Sequence, residues 1–175
     1  VWATTNLSAK SNFPFSPQTF DLVIIDEASQ SDLPSALPLL YRGGRIVIVG
    51  DSMQLRHVAT IFPRSESATS LKYGVSPSKY SYSQFSLFDI ANRSVQPNPS
   101  SILLNEHYRS DPQIFGFSKE EFYSEEMKIY TDIFRFSLPS DYMRDGTGVF
   151  WIDTPGRAQH PSGGSAYNDA ELRVV

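Results

Sequence analysis

Two acids stand side by side at the end of an apolar run, Phe20-Asp21-Leu22-Val23-Ile24-Ile25-Asp26-Glu27, and the chain continues Ala28-Ser29-Gln30. Two adjacent carboxylates at the carboxyl end of a buried strand lie where parallel α/β sheets place ligands. The alternative is an ordinary strand end carrying two solvated acids. A second group follows at Gly50-Asp51-Ser52-Met53-Gln54-Leu55. The neutral amide of Gln54 can donate to a phosphate oxygen or orient water without acting as a competing base, although Gly-Asp after a strand is also a common turn. A third group is Glu106-His107-Tyr108-Arg109-Ser110-Asp111-Pro112. Near the start, Thr4, Thr5, Asn6 and Ser8 form a cluster of short hydroxyl and amide side chains. Their plain reading is a strand-to-turn.

Other residues invite chemistry less. Arg56 and His57 come after the second group and suit either nucleic-acid contact or a solvated loop. His107 beside Glu106 has no second histidine at ligand spacing, so a metal role is not expected. Phe85 and Phe88 at helical spacing read as core rather than as stacking platforms, and Gly163-Gly164 reads as a turn without the Lys-Ser/Thr of a phosphate loop.

These groups need elements to position them. Residues 22–25 and 45–49 are Ile/Val-rich without alternation, the pattern of strands buried on both faces of a parallel sheet. Between them Asp32 can cap a helix opened by Pro34 and stopped at Gly43-Gly44, with Pro38 weakening it. Strand, helix and strand make a βαβ unit with a right-handed crossover. Residues 63–83, rich in Ser, Pro, Lys and Tyr, show no periodicity and read as an exposed connection or insertion. Phe85, Leu87, Phe88 and Ile90 fit an amphipathic helix ending near Asn92, and Pro97 and Pro99 mark a linker. Residues 102–104 and 148–152 are further candidate strands. Asp111-Pro112 opens a helix carrying Ile114, Phe115 and Phe117, and residues 166–175 begin one more helix.

The 175 residues suffice for one domain or two small half-domains. A hydrophobic share of 40% against 19% charged residues is a globular balance, and no apolar run approaches a membrane span. No secretory signal is visible. The absence of cysteine excludes disulfides, thiolate zinc sites and cysteine nucleophiles. Lys+Arg of 15 against Asp+Glu of 19 gives a net charge of -4, which argues against a globally basic nucleic-acid coat. A chain that starts on Val1-Trp2 and stops on Val174-Val175 is expected to be cut from a longer protein.

Four apolar residues followed by Asp-Glu make the Walker B pattern of P-loop ATPases. Taken in order, residues 23–30, 50–55 and 106–112 resemble motifs II, III and IV of superfamily 1 helicases. The flavour is that of the 1B branch, which includes the nonsense-mediated-decay RNA helicase and bacterial DNA-helicase relatives. Residues 3–8 are similar to motif Ic, Ser86-Leu87-Phe88 to the helix closing the first RecA-like domain, and Phe122-Tyr123, residues 148–155 and residues 168–171 to later segments. The resemblance covers nearly the whole chain outside residues 63–83.

This resemblance implies an α/β fold of P-loop NTPase (RecA-like) type, a parallel sheet with flanking helices in partial tandem domains. Residues 1–95 are the later part of the first domain and 96–175 the start of the second. It implies ATP and Mg²⁺ as cofactors, with Asp26 holding Mg²⁺ through water and Glu27 as the catalytic carboxylate. Gln54 senses the γ-phosphate, Asp51 braces its loop, and Arg109 is the finger stabilising charge on the transferred phosphoryl. The planar guanidinium suits bidentate phosphate contact in a way lysine does not. Tyr108 stacks on adenine, Glu171 reaches the ribose, and Thr4, Thr5, Asn6 and Ser8 touch the backbone of a single strand, DNA favoured over RNA. The 1B branch implies 5′ to 3′ travel, while the lack of a secretory signal and of a membrane-length apolar run leads us to expect an intracellular, cytoplasmic protein with no membrane partner.

A Walker A loop is missing, since no Gly-Lys dipeptide occurs. It is expected upstream of Val1, with motifs V and VI beyond Val175. The isolated polypeptide is therefore expected to bind ATP weakly and hydrolyse none. Rival readings are a catalytically dead RecA-like interaction module, and a non-helicase P-loop ATPase or helicase-nuclease fusion.

Overall fold

A computed structural model of the chain describes residues 1–95, 100–123, 126–133 and 153–173. The expected strand at 148–152, the linker prolines Pro97 and Pro99, and the terminal Val174-Val175 lie outside the described residues. The chain divides into two compact units, Val1–Leu104 and Asn105–Val175.

In the first unit, α1 (Asn6–Asn12) precedes β1 (Val23–Ile25), a 3-10 turn at Ala28–Gln30, α2 (Leu33–Arg42) and β2 (Ile46–Ile48). The strands pair in parallel with Val23 opposite Ile46, Ile24 opposite Val47 and Ile25 opposite Ile48. This is the βαβ unit read from the sequence, and its punctuation works as expected. Asp32 Oδ1 accepts from the Ser35 amide at 2.8 Å, and Pro34 occupies the first turn, where no amide hydrogen is needed. Pro38 sits inside α2 without ending it. Arg42 secures that helix: buried to 1% exposure, its guanidinium donates to the carbonyls of Pro14 (2.9 Å), Pro38 (2.7 Å) and Phe13 (2.9 Å). A buried charge survives only when so satisfied, and here it joins α2 to the chain leaving α1.

The core gathers Ala9, Ile25, Ala28, Ala36, Leu39 and Leu87, with Val23, Ile48, Phe13 and Phe88 packed on it. The strands are not buried on both faces as expected. Ile24 and Val47, opposite each other in register, are 61% and 43% exposed. Successive side chains point to opposite faces, and among the described residues this two-stranded sheet has packed only the face of Val23, Ile25 and Ile48.

Residues 63–83 also differ from expectation: they hold α3 (Pro63–Tyr73) and α4 (Pro77–Tyr80). These helices are set by end signals rather than by an apolar stripe. Pro63 and Pro77 each open one, and Gly74 closes α3 in the left-handed conformation (φ 65°) that glycine adopts without a steric cost. No residue of α3 is buried. α5 runs over Leu87–Val95, starting later and ending later than the periodicity suggests. Its start is fixed by a reciprocal cap in which the Ser86 amide and hydroxyl donate to Asp89 (2.9 and 2.8 Å) and the Asp89 amide donates to Ser86 Oγ (3.1 Å).

The expected strand at 102–104 is absent, and Ile102, Leu103 and Leu104 are 84%, 64% and 79% exposed. An apolar triplet becomes a strand only with a pairing partner. In the second unit the pairing goes instead to β3 (Glu106–His107), which lies parallel to β4 (Lys128–Ile129). α6 (Pro112–Ser118) starts from its Asp111 cap and widens into a π-turn over Lys119–Tyr123. α7 (Asp169–Leu172) starts from Asn168, whose side chain accepts from the Ala170 amide.

Candidate functional site

β1 delivers Asp26 and Glu27 to an exposed turn. The Glu27 amide donates to Asp26 Oδ1 at 2.9 Å, folding the first carboxylate back over the bend. Glu27 itself is left-handed (φ 51°, ψ 39°), a conformation that costs a residue bearing a Cβ about 1 kcal/mol or more. Its carboxylate accepts from the Gln30 side chain at 3.3 Å.

β2 delivers the second loop. Gly50 opens it because the Phe88 ring passes so close that a Cβ there would lie 2.7 Å from a ring carbon. Asp51 organises the remainder of the loop: its Oδ1 accepts from the Met53 amide and its Oδ2 from the Gln54 side chain, both at 2.9 Å. Asp51 and Gln54 are thus directly bonded.

The two loops are joined by Ser29, buried to 1% exposure. Its hydroxyl oxygen accepts from the Asp51 amide at 3.1 Å, and its carbonyl accepts from the His57 amide at 3.3 Å. The Ala28 amide adds a bond to the Val49 carbonyl at 2.9 Å. Ser29 lies within the 23–30 motif, but neither motif nor period signals that its hydroxyl joins the two loops.

Exposed Arg56 and half-buried His57 lie in a loop that is tied back to the protein. Arg56 donates to the Gln84 carbonyl at 2.9 Å and lies 3.7 Å from the Asp89 carboxylate, and His57 Nε2 donates to the Tyr82 carbonyl at 2.6 Å. The Tyr82 hydroxyl reaches Thr60 Oγ1 at 3.2 Å. Phe88 packs on the core, and Phe85 is half-buried under the Arg93 guanidinium, 3.8 Å from its ring centre. Glu66 clasps α3 to the same segment, accepting from Ser81 Oγ (2.7 Å) and Ser83 Oγ (2.6 Å). Burial alone would raise its carboxyl, but the Ser83 and Ser81 hydrogen bonds outweigh that and hold it below the ordinary glutamate value.

The Thr/Asn/Ser cluster forms a helix start instead of a strand-to-turn. Thr5 caps α1 by accepting from the Ser8 amide at 3.2 Å, and its hydroxyl donates to Ser8 Oγ at 3.0 Å. Asn6 donates to Ser31 Oγ at 2.6 Å, next to the 3-10 turn after Glu27. Thr4 is exposed.

In the second unit, Tyr108 and Arg109 are adjacent and exposed in the turn after β3. The Tyr108 hydroxyl donates to Glu106 at 2.5 Å, which raises the phenol above its ordinary value, and its ring stacks on Tyr130 with centres 5.8 Å apart. Glu171 lies on α7, and its carboxylate accepts from the Asn168 side chain at 2.9 Å. Among the described residues no cluster of three or more His, Cys, Asp or Glu could hold a metal by itself, and no helix is long and apolar enough to cross a membrane.

Two family models, each described as an AAA domain, match residues 1–63 and residues 82–175. Residues 64–81, which hold most of α3 and all of α4, fall between them. The chain is 37% identical to Helicase SEN1 of Saccharomyces cerevisiae over 110 residues, 62% of this chain and 4% of that protein. It is 33% identical to the uncharacterized ATP-dependent helicase MG140 homolog of Mycoplasma pneumoniae over 117 residues, 65% of this chain and 10% of that protein. It is 31% identical to the probable helicase MAGATAMA 3 of Arabidopsis thaliana over 134 residues, 76% of this chain and 14% of that protein. The chain thus spans a small part of the length of these relatives.

Proposed function

Because the chain belongs to the AAA-domain family, with the P-loop NTPase fold and the superfamily 1 helicase character its motifs resemble, we propose that it is the central part of an ATP-dependent helicase. Its two units are then the later part of one RecA-like domain and the start of the next. The motor couples ATP hydrolysis to movement along single-stranded nucleic acid, DNA favoured, and to duplex unwinding inside the cell.

The observation that carries this reading is the joining of two polar loops at the carboxyl ends of paired parallel strands, through buried Ser29. In this reading Glu27 orients the attacking water from its left-handed turn. Asp26 offers the hard carboxylate oxygen that Mg²⁺ prefers, and the ion bound there with ATP would offset charge on the phosphate oxygens. Gln54, held by Asp51, would meet the γ-phosphate of a bound nucleotide. Arg109 supplies the positive charge that grows in value as the phosphoryl group transfers. Tyr108 and Glu171 take the adenine and the ribose. Thr4, Thr5, Asn6 and Ser8 present short polar groups to a strand backbone, contacts that position without reading bases.

Glu27→Gln in the full-length protein tests the assignment. Nucleic-acid-stimulated ATP hydrolysis is expected to fall by about 10²-fold or more, with binding of a fluorescent ATP analogue kept within a few-fold. Turnover at the parent rate in that variant overturns the reading. The 175-residue chain alone is expected to show no hydrolysis, because a phosphate cradle is needed to position the reacting groups.

A further inference from the structure

The residue before Tyr108 and Arg109 shapes the turn that presents them. His107 is fixed on three sides. Its carbonyl accepts from the Tyr130 amide at 2.8 Å and from Thr131 Oγ1 at 3.4 Å. Its ring lies flat on Phe115 of α6, with centres 3.8 Å apart and an interplanar angle of 2°. Its Nε2 accepts from the Ser110 amide at 2.9 Å. Between the ring and that amide the chain has only two residues, Tyr108 and Arg109. An imidazole nitrogen that accepts an amide hydrogen carries none of its own, so this bond requires the Nδ1–H tautomer.

We propose that His107 is the positioning residue for Arg109: its ring, stacked on Phe115, closes the 107–110 turn through the Ser110 amide and sets the direction in which the arginine leaves the backbone. The inference rests on the reading of Arg109 as the group that meets the nucleotide. A long, exposed arginine retains much rotamer freedom, and its value in transition-state stabilisation depends on being placed before the reaction begins. Misplacement by an ångström costs about 10²-fold in rate. The stack supplies a rigid wall, the hydrogen bond a fixed closure, and neither requires His107 to touch the nucleotide.

The test uses the full-length protein and ATP turnover with single-stranded nucleic acid. His107→Leu keeps apolar bulk against Phe115 but has no acceptor for the Ser110 amide. Its kcat is expected to fall about tenfold or more, at unchanged Tm. His107→Gln, whose side-chain oxygen can accept from the same amide, is expected to recover most of the loss. In an Arg109→Ala background, His107→Leu is expected to add less than about twofold, because residues acting as one unit are not additive. A normal kcat for His107→Leu while Arg109→Ala is impaired overturns the inference and leaves the arginine assignment standing. So does full additivity of the two losses, or failure of His107→Gln to rescue. A normal kcat for Arg109→Ala overturns the arginine assignment itself, and the positioning role falls with it. Should His107→Leu fail to fold, nitrogen-15 spectra of the histidine rings in the 175-residue chain decide. An Nδ1–H tautomer with an unprotonated Nε2 is expected for His107, and an Nε2–H tautomer overturns the proposal.

Discussion

The two units hold their exposed polar residues in different ways. In Val1–Leu104 the turn of Asp26 and Glu27 and the loop of Asp51 and Gln54 stand on a packed cluster, with Ser29 buried between them. In Asn105–Val175 none of the described residues is buried. Tyr108 and Arg109 there depend on a two-residue strand pairing, the Asp111 cap and the rings of His107 and Phe115. A site on packed elements is positioned by long-range contacts, and it moves little unless the core moves. A site held by neighbours in sequence is positioned by a few directional bonds, and single substitutions there should change geometry more than stability.

The largest effect that bears on this contrast is expected at Leu87, 1% exposed in the cluster. Leu87→Ala should destabilise the first unit by about 2–5 kcal/mol, read by chemical denaturation of the 175-residue chain. The same truncation at half-buried Ile129 should cost clearly less, and equal losses would erase the difference between the units. Next comes Ser29→Ala, which removes the hydroxyl that accepts from the Asp51 amide. It should cost about 0.5–1.5 kcal/mol and loosen the Gln54 loop, seen as faster hydrogen exchange at the Asp51 and Met53 amides. Unchanged exchange there would mean that Ser29 does not join the loops. The smallest effect concerns the Glu66 clasp. A carboxyl held below its ordinary value stabilises the fold above the unfolded pKa, and that contribution is lost as pH falls through the lower folded value. Exchange at the Ser83 amide, which donates to Glu66 Oε1 at 3.4 Å, should therefore rise, once corrected for intrinsic pH dependence, only on acidification below the ordinary glutamate range. A rise already complete near neutral pH would rule the clasp out.

The parts that were legible in the sequence are those with local punctuation. Asp32 and Pro34 before α2 and Asp111 and Pro112 before α6 each open a helix whose start needs nothing distant. β1 and β2 were legible because Ile and Val cluster between turns, yet the exposure of Ile24 and Val47 was not, since it depends on what packs outside the strand itself. α3 lacked an apolar stripe and so showed no period, although Pro63 and Gly74 fix both of its ends. Residues 102–104 mislead in the opposite sense, being apolar without a partner. At the candidate site, order and spacing singled out Asp26, Glu27, Asp51 and Gln54. The cross-links made by Ser29, Arg42 and Tyr82 were not announced, because these contacts cross 22 to 29 residues of chain and no local pattern marks them.

Under the proposed role of its carboxylate, Glu27 sets stability and chemistry at odds within one residue. Its left-handed backbone is one that glycine would adopt freely and asparagine nearly so. Substitution by either would relax the turn while discarding the carboxylate. Selection for a sturdier protein and selection for a working one therefore favour different amino acids at this position. A stabilising screen blind to activity would be expected to remove the acid first.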